Sequence, residues 1–340
     1  MNRFVLHLSR FTNLSQTDLK STAMKAFTII LSMCAFRMTS ALAFSLNPSK
    51  STALVTGSTD GIGLTTAKNI AAKGYNVIVH GRSKERIEKA IDAVCSFDQG
   101  IPRDKIFSVQ SDISTVQGCK ELVYSVQSIL QSNGLTLDVI MNNAGVFEEN
   151  YHVTEDNLEL TFSVNVLAPF VITSHLLPNL LTPKDNQSRI VIASSISQCR
   201  FIDHWDDLQC FERTYSTHRA YSESKLFDAM LAAEIATLLK SNGFGTNRIT
   251  CNSLDPGTVN TKMLLAGWGP IGIDVESAKD ETYLCTSPEV SDISGSYFCW
   301  KSRSKDAENY KPSERAKLWE ILKNIDPESA SKWDSLHEYI

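Results

Sequence analysis

Four features are scarce in this chain, and each scarcity removes a class of function. Basic excess is absent: 33 Lys and Arg stand against 38 Asp and Glu, for a net charge of −5, so no positive field suits nucleic acid. Clustered cysteine is absent: Cys34, Cys95, Cys119, Cys199, Cys210, Cys251, Cys285 and Cys299 contain no Cys-x-x-Cys and no metal-like spacing. They read as reduced core or surface thiols, and His204 and His218 lack the neighbours a metal site needs. A Pro/Gly-rich linker is absent, so although 340 residues permit two domains, one α/β sheet domain accounts for the body. Long apolar runs are short too: Ala26–Phe36 falls below the length that crosses a bilayer, and no transmembrane span is expected after residue 49.

Residues 1–49 differ in composition from the rest. Their one acidic residue, Asp18, faces Arg3, Arg10, Lys20, Lys25 and Arg37 among many Ser and Thr. That is transit-peptide chemistry. Met24-Lys25 precedes the apolar run, and small residues follow at Ala41-Leu42-Ala43-Phe44, like a signal peptide with its cleavage site. A signal-like core inside a basic, hydroxyl-rich leader resembles leaders that direct proteins to secondary algal plastids. An organellar destination is expected, with the plastid first and mitochondrial or secretory addresses as competitors. The leader is set apart from the fold.

From Lys50 the pattern becomes strand, turn, helix, repeated. Strands are expected at Thr52–Thr56, Asn76–His80, Lys105–Gln110, Leu137–Met141, Arg189–Ala193, Arg248–Ser253 and Ser296–Trp300. Helices are expected at Ile62–Lys73, Ser83–Cys95, Val116–Gln131, Asn157–Leu181, His218–Lys240 and Pro312–Asn324. Alternation of this kind implies parallel strands with right-handed crossovers, hence one α/β domain over residues 50–325: a doubly wound parallel sheet with helices on both faces. Residues 326–340 are expected to be a fraying C-terminal tail.

Ligands bind such sheets at the carboxyl ends of the strands. The first such end is Thr56-Gly57-Ser58-Thr59-Asp60-Gly61-Ile62-Gly63. Its glycines permit a tight turn and let backbone N–H groups approach a pyrophosphate at the positive end of the next helix. Asp60, awkward beside phosphate, reads as that helix's N-cap. The second strand ends at His80-Gly81-Arg82-Ser83, with no acid to hold a free ribose hydroxyl. Arg82 instead suits a 2′-phosphate, which favours NADP(H) over NAD(H), and Ser83 reads as a helix cap. Within Tyr221-Ser222-Glu223-Ser224-Lys225, Tyr221 and Lys225 share one helix face. A cation one turn away, reinforced by an oxidised nicotinamide ring, favours the phenolate and makes the phenol a general acid/base.

Taken together, Thr56–Gly63, Asn142-Asn143-Ala144-Gly145, Asn165, Ser195, the Tyr221/Lys225 pair and Asp255-Pro256-Gly257 resemble the short-chain dehydrogenase/reductase family. The resemblance runs from Thr52 to Trp300 and implies a Rossmann-like fold and roles at the matching positions. Asp112 would bond the adenine, and Asn143, Ala144 and Gly145 would floor the ribose. Asn165 would hold a water relaying protons from Lys225. Tyr221 would exchange the proton with the substrate oxygen, Ser195 would bond that oxygen, and Lys225 would bind the nicotinamide ribose. Pro256, Gly257, Val259 and Thr261 would grip the carboxamide. A homodimer is compatible with the family.

Two stretches depart from the commonest pattern. Tyr221 lies 26 residues after Ser195, about twice the usual interval, because Gln198–Thr217 is inserted. That insertion, with Tyr-x-x-Ser-Lys-Leu after it, resembles the retinol-dehydrogenase-like branch, which also contains the WW-domain oxidoreductase and the X-linked dehydrogenase/reductase. The branch implies NADP(H) and small lipophilic alcohols, aldehydes or ketones. Tyr215 with Arg219 is a rival pair, and Ser194 a rival to Ser195. The loop Lys262–Thr282 carries Met263, Leu264, Leu265, Trp268, Ile271 and Ile273, which either line an apolar pocket or pack the loop down. Two other functions stay open: a low-turnover NADP(H)-binding sensor or scaffold, and a C=C reductase of the protochlorophyllide-reductase kind.

Overall fold

The computed structural model describes residues 50–98, 100–184, 186–304 and 311–339. All of them belong to one compact unit, Leu46–Ile340. The expected leader lies outside the described residues.

Strands β1 (Ser51–Val55), β2 (Asn76–Gly81), β4 (Thr136–Asn142), β5 (Ser188–Ala193) and β6 (Ile249–Asp255) are buried almost throughout. Unbroken burial, in place of alternation, is what a parallel sheet covered on both faces imposes. With β3 (Ile106–Gln110) and β7 (Tyr297–Cys299) they form a sheet in the order β3-β2-β1-β4-β5-β6-β7, all parallel. The order reverses between β1 and β4, where Val55 pairs with Met141. A crevice therefore opens beyond those two strand ends.

Helices α1 (Gly61–Ala72), α2 (Lys84–Cys95) and, later in the chain, the helix Asp280–Thr286 cover one face through Ile70, Ile91 and Leu284. The other face is covered by α3 (Val116–Asn133), α4 (Leu160–Leu181) and α5 (Thr217–Ser241) through Leu122, Phe170 and Phe227. After β6 come α6 (Lys262–Gly267) and α7 (Asp280–Thr286). Among the described residues α4 alone is long and apolar enough to cross a membrane, and it is 89% buried in the fold.

Three segments differ from the expectation. The helix foreseen from Asn157 starts later, because Asn157 is left-handed (φ 62°) and Glu159 caps the chain by accepting from the N–H groups of Thr161 and Phe162. Its first part, Ser163–Leu167, is a π turn. Pro169 has no N–H to give the carbonyl of Asn165, so the regular ladder breaks there. Second, the last strand stops at Cys299: Trp300 (φ 53°) and Lys301 (φ 57°) make a two-residue turn into a short antiparallel edge strand, β8 (Ser302–Arg303).

The third segment is the C-terminus. Residues expected to fray form α9 (Pro327–Asp334), which follows α8 (Pro312–Ile325). Trp333 and Leu336 are buried, and Trp333 packs edge-on to Trp319 at 5.3 Å, with Phe170 beneath both. Aromatic burial of this size outweighs the entropy of ordering a short helix. α8 thereby lies on α5, and α9 lies on α4.

Candidate active site

A cleft of about 810 Å³ opens at the carboxyl ends of the strands. Its volume falls within the range of small-molecule sites. Of the residues to which the sequence assigns a catalytic or cofactor-binding role, all line it except Ser58 and Asn165.

The glycine turn forms one end. Gly57 has φ +63°, and a Cβ there would meet the Cα of Ala144 at 2.8 Å. At Gly63 a Cβ would meet Asn143 Nδ2 at 2.3 Å and the Gly57 carbonyl at 2.6 Å. The turn is thus pressed against Asn143-Ala144 and leaves a cradle where side chains would sit. Thr56 holds the two segments together: its Oγ1 accepts from the N–H groups of Asn143 (3.1 Å) and Ala144 (3.0 Å). Asn143 Nδ2 donates to the Thr56 carbonyl at 2.7 Å. Ser58 points inward, donating to the Val55 carbonyl and accepting from the His80 N–H.

His80 is a support that motif reading passed over. Burial pushes its imidazole down to about 4, so the ring is neutral. Its Nδ1 accepts from the Gly57 N–H at 3.1 Å, which leaves the proton on Nε2, facing the Ser111 carbonyl. The histidine stands two positions before Arg82 in the chain, but only the fold turns it under the glycine turn.

Charge at this end is arranged around Asp60. Its carboxylate caps α1 by accepting from the Gly61 N–H. Arg86 reaches it at 3.2 Å and Lys262, 202 positions away, at 2.6 Å. The hydrogen bond from Lys262 leads in holding the carboxyl below the usual aspartate range. The anion that looked awkward beside phosphate is therefore matched by two cations. Arg82 stands on the same rim with its guanidinium 4.0 Å from Asp112. Glycines that admit a close backbone approach, a helix N-terminus and three cations suit a pyrophosphate-containing dinucleotide.

At the other end Tyr221 is buried on α5, and the Ser195 hydroxyl lies within hydrogen-bonding reach of its phenol. Ser194 is excluded from that role, because its Oγ donates to the Lys225 carbonyl at 2.6 Å. Tyr215 is excluded likewise: it donates to the Glu148 carbonyl, and Arg219 is engaged by Asp203 and Glu223. The Lys225 ammonium sits 5.7 Å from the Tyr221 ring centroid and donates to the Ala193 carbonyl and to Asp228, each at 2.8 Å. Burial opposes its charge, yet Asp228 and the phenol hold it above the usual lysine range.

The sequence leads to an acidified phenol once an oxidised nicotinamide ring reinforces Lys225. In the protein burial dominates and raises Tyr221, with Lys225 and Ser195 pulling in the opposite direction. Without a bound cation the phenol is a proton donor at neutral pH.

Asn165 stands behind this group in the π turn. Its amide is fully used: Oδ1 accepts from the Val146 N–H, and Nδ2 donates to the Val146 carbonyl and to Ser224. Glu281 is a lining residue not foreseen. It is 1% exposed, accepts from Thr66 Oγ1 at 2.7 Å, and is pushed up to about 7 by burial. No local pattern marks it, because α1 and α7 meet only in three dimensions.

The outer wall is aromatic. Phe147 lies 5.5 Å from the Tyr221 ring and 4.9 Å from Trp268, and Trp268 is 5.7 Å from Tyr221. His218 completes the group at 5.0 Å from Trp268. The loop after Thr261 fits the first of the two readings: Met263, Leu264, Trp268 and Ile271 line the cleft, while Leu265 and Ile271 are exposed and so are not packed down. The insertion Gln198–Thr217 is strapped to α5 by Arg213, whose guanidinium grips Glu223 with bonds of 3.1 and 2.7 Å. Glu223 lies between Tyr221 and Lys225 in sequence, so this clamp braces the reactive turn from outside.

A family model described as short chain dehydrogenase matches residues 51–266. Human retinol dehydrogenase 14 is 32% identical over 296 residues, covering 79% of this chain and 84% of that protein. Human polyprenol dehydrogenase is 29% identical over 282 residues, covering 78% and 82%. The chloroplastic short-chain dehydrogenase TIC 32 A of Brassica napus is 26% identical over 264 residues, covering 73% and 79%. Among solved structures, 3-ketoacyl-(acyl-carrier-protein) reductase from Brucella melitensis complexed with NADH superposes with a TM-score of 0.57 at 21% identity. That match covers 74% of this chain and 97% of that one.

Proposed function

Because this chain belongs to the short-chain dehydrogenase/reductase family, in its retinol-dehydrogenase-like branch, we propose that it interconverts a lipophilic alcohol with its aldehyde or ketone using NADP(H). Oxidoreduction at a CH–OH group with a nicotinamide nucleotide comes with the family. The coenzyme preference and the substrate class are proposed from the site.

One observation carries it: a single cleft has a proton-donating phenol at one end and a cradle with three cations at the other. The bound nicotinamide supplies or accepts the hydride. Tyr221 gives its proton to the substrate oxygen in reduction and recovers it in oxidation, and Ser195 holds that oxygen. Lys225 has one donor left for a ribose hydroxyl, and Asn165 would hold the relay water. The turn Gly57–Gly63 would hold the pyrophosphate, Asp112 the adenine, and Pro256, Gly257, Val259 and Thr261 the carboxamide. Arg82, with Arg86 beside it, supports the 2′-phosphate assignment. Phe147, Trp268 and Ile271 support an apolar substrate, and the retinol and polyprenol dehydrogenases named above agree with that class.

The test is a paired titration with NADPH and NADH, followed by NADPH oxidation against isoprenoid and aromatic carbonyls. NADPH is expected to bind at least ~10-fold tighter, about 1.4 kcal/mol, and Arg82→Asp to reverse the preference. An unchanged NADPH/NADH ratio in Arg82→Asp defeats the 2′-phosphate assignment. NADPH binding with no carbonyl reduced would move the chain to a nucleotide-binding sensor, with C=C acceptors tested next.

Leader composition and the chloroplastic relative support a plastid destination. Residues 1–49 fused to a fluorescent protein are expected to enter plastids of an algal host; signal confined to the cytosol, mitochondria or secretory pathway overturns this.

A further inference from the structure

The ion pair beneath the reactive phenol uses up more of Lys225 than proton exchange requires. An ammonium has three N–H donors. One goes to the Ala193 carbonyl and one to Asp228 Oδ2, so a single donor is left toward the cleft. Asp228 lies three positions further along α5, is 1% exposed, and its Oδ1 has no hydrogen-bond partner. Among the described residues Lys225 is the only cation at ion-pair distance from it. The pair is thus sealed from solvent, where charges act across little screening.

The other groups facing this point are mostly acidic or neutral. Asp255 at the end of β6 and Glu281 on α7 add negative charge on the far side. Asn165 presents only its amide from the π turn, and Ser195 a hydroxyl from the loop after β5. His218 stands on the cleft side of α5, separated from Lys225 by the rings of Phe147, Trp268 and Tyr221. Among the described residues Lys225 is therefore the one cation that acts to acidify the phenol, and Asp228 sits directly against it.

We propose that Asp228 is a positioning residue that offsets the field of Lys225 at Tyr221, keeping the phenol protonated and biasing the site toward carbonyl reduction. The bias toward reduction rests on the oxidoreductase reading above; the effect on the phenol does not. Burial pushes Asp228 up to about 7, with Lys225 acting against it, so the carboxylate is charged throughout the alkaline range in which a phenol ionises. A carboxylate 1% exposed with one unpartnered oxygen fits a fixed charge better than a proton relay.

Asp228→Asn keeps the shape and an acceptor for Lys225 but removes the charge. Tyr221 ionisation is followed in the full-length, nucleotide-free chain by ultraviolet tyrosinate difference absorbance, with the Tyr221→Phe protein subtracted. The Tyr221 phenolate still holds Lys225 charged as it forms, so the transition is expected to move down by at least ~1 pH unit, as for loss of one nearby like charge. Asp228→Ser, smaller and also neutral, should move it the same way. With citral and NADPH, the alkaline loss of reduction should move down in parallel. An unmoved or raised Tyr221 transition in both variants overturns the proposal, as does a parallel fall in activity at every pH with no displaced limb. The absorbance reading needs neither nucleotide nor substrate, so failure to reduce any carbonyl would defeat the enzymatic reading and leave this one standing.

Discussion

Tyr221→Phe is expected to lower kcat for carbonyl reduction at least ~100-fold, the lower end for losing a general acid/base, while the Kd for NADPH changes by less than ~2-fold. The reason lies in how the phenol is used. Its ring is packed by Phe147 and Trp268, contacts that phenylalanine keeps, so the wall of the cleft stays in place. Only the hydroxyl is lost, and with it the one proton donor within reach of Ser195. Ser195 can still bond a substrate oxygen but has no charge beside it to deliver a proton. In the intact protein, reduction should fail as pH rises through the Tyr221 transition, since the donor is then spent. Oxidation should gain over the same interval, since the acceptor then exists. Wild-type turnover in Tyr221→Phe would remove Tyr221 from the chemistry and return Tyr215 to consideration.

Gly63→Val is the second large effect. The Cβ it introduces would fall 2.3 Å from Asn143 Nδ2 and 2.6 Å from the Gly57 carbonyl. The asparagine end can swing away, but only by giving up its bonds to the carbonyls of Thr56 and Gly57. The Gly57 carbonyl is backbone and cannot swing. It must move with the turn, whose residues line the cleft. Overpacking of this kind costs about 3 kcal/mol at its upper usual range. Because the turn is the more yielding partner, most of this is expected in binding, as ~100-fold weaker affinity for NADPH. Isothermal titration and urea unfolding together measure both parts. If neither affinity nor unfolding free energy changes, the close approach is not present in solution.

Much of this protein was legible in its residues because the signals were local. The turn Thr56–Gly63 needs glycine at fixed spacing, and a strand before it and a helix after it are visible as short apolar and amphipathic stretches. Asp60 and Ser83 were legible as caps, since a cap bonds within its own turn. The Tyr221/Lys225 pair was legible because a helix brings residues four apart onto one face. The start of α4 was misread where local apolar periodicity ran through a left-handed Asn157 and a proline-broken ladder. The C-terminal helix was missed because α9 is held by Trp319 and Phe170, the latter far back in the chain.

The sequence by itself determined the fold class, the glycine turn at the first strand end and the Tyr221/Lys225 pair on one helix face. Those depend on backbone conformation and helical spacing, which neighbouring residues set. Only the tertiary structure decided which of Ser194 and Ser195 faces the phenol, and that Lys262 and Arg86 balance Asp60. It also decided that Asp228 and Glu281 are buried carboxyls beside the reactive site, and that burial outweighs Lys225 at Tyr221. The physical reason is common to all of these. The energy of a charge or a hydroxyl depends on which groups have displaced water around it, and those groups arrive from distant strands and helices that only the completed fold brings together.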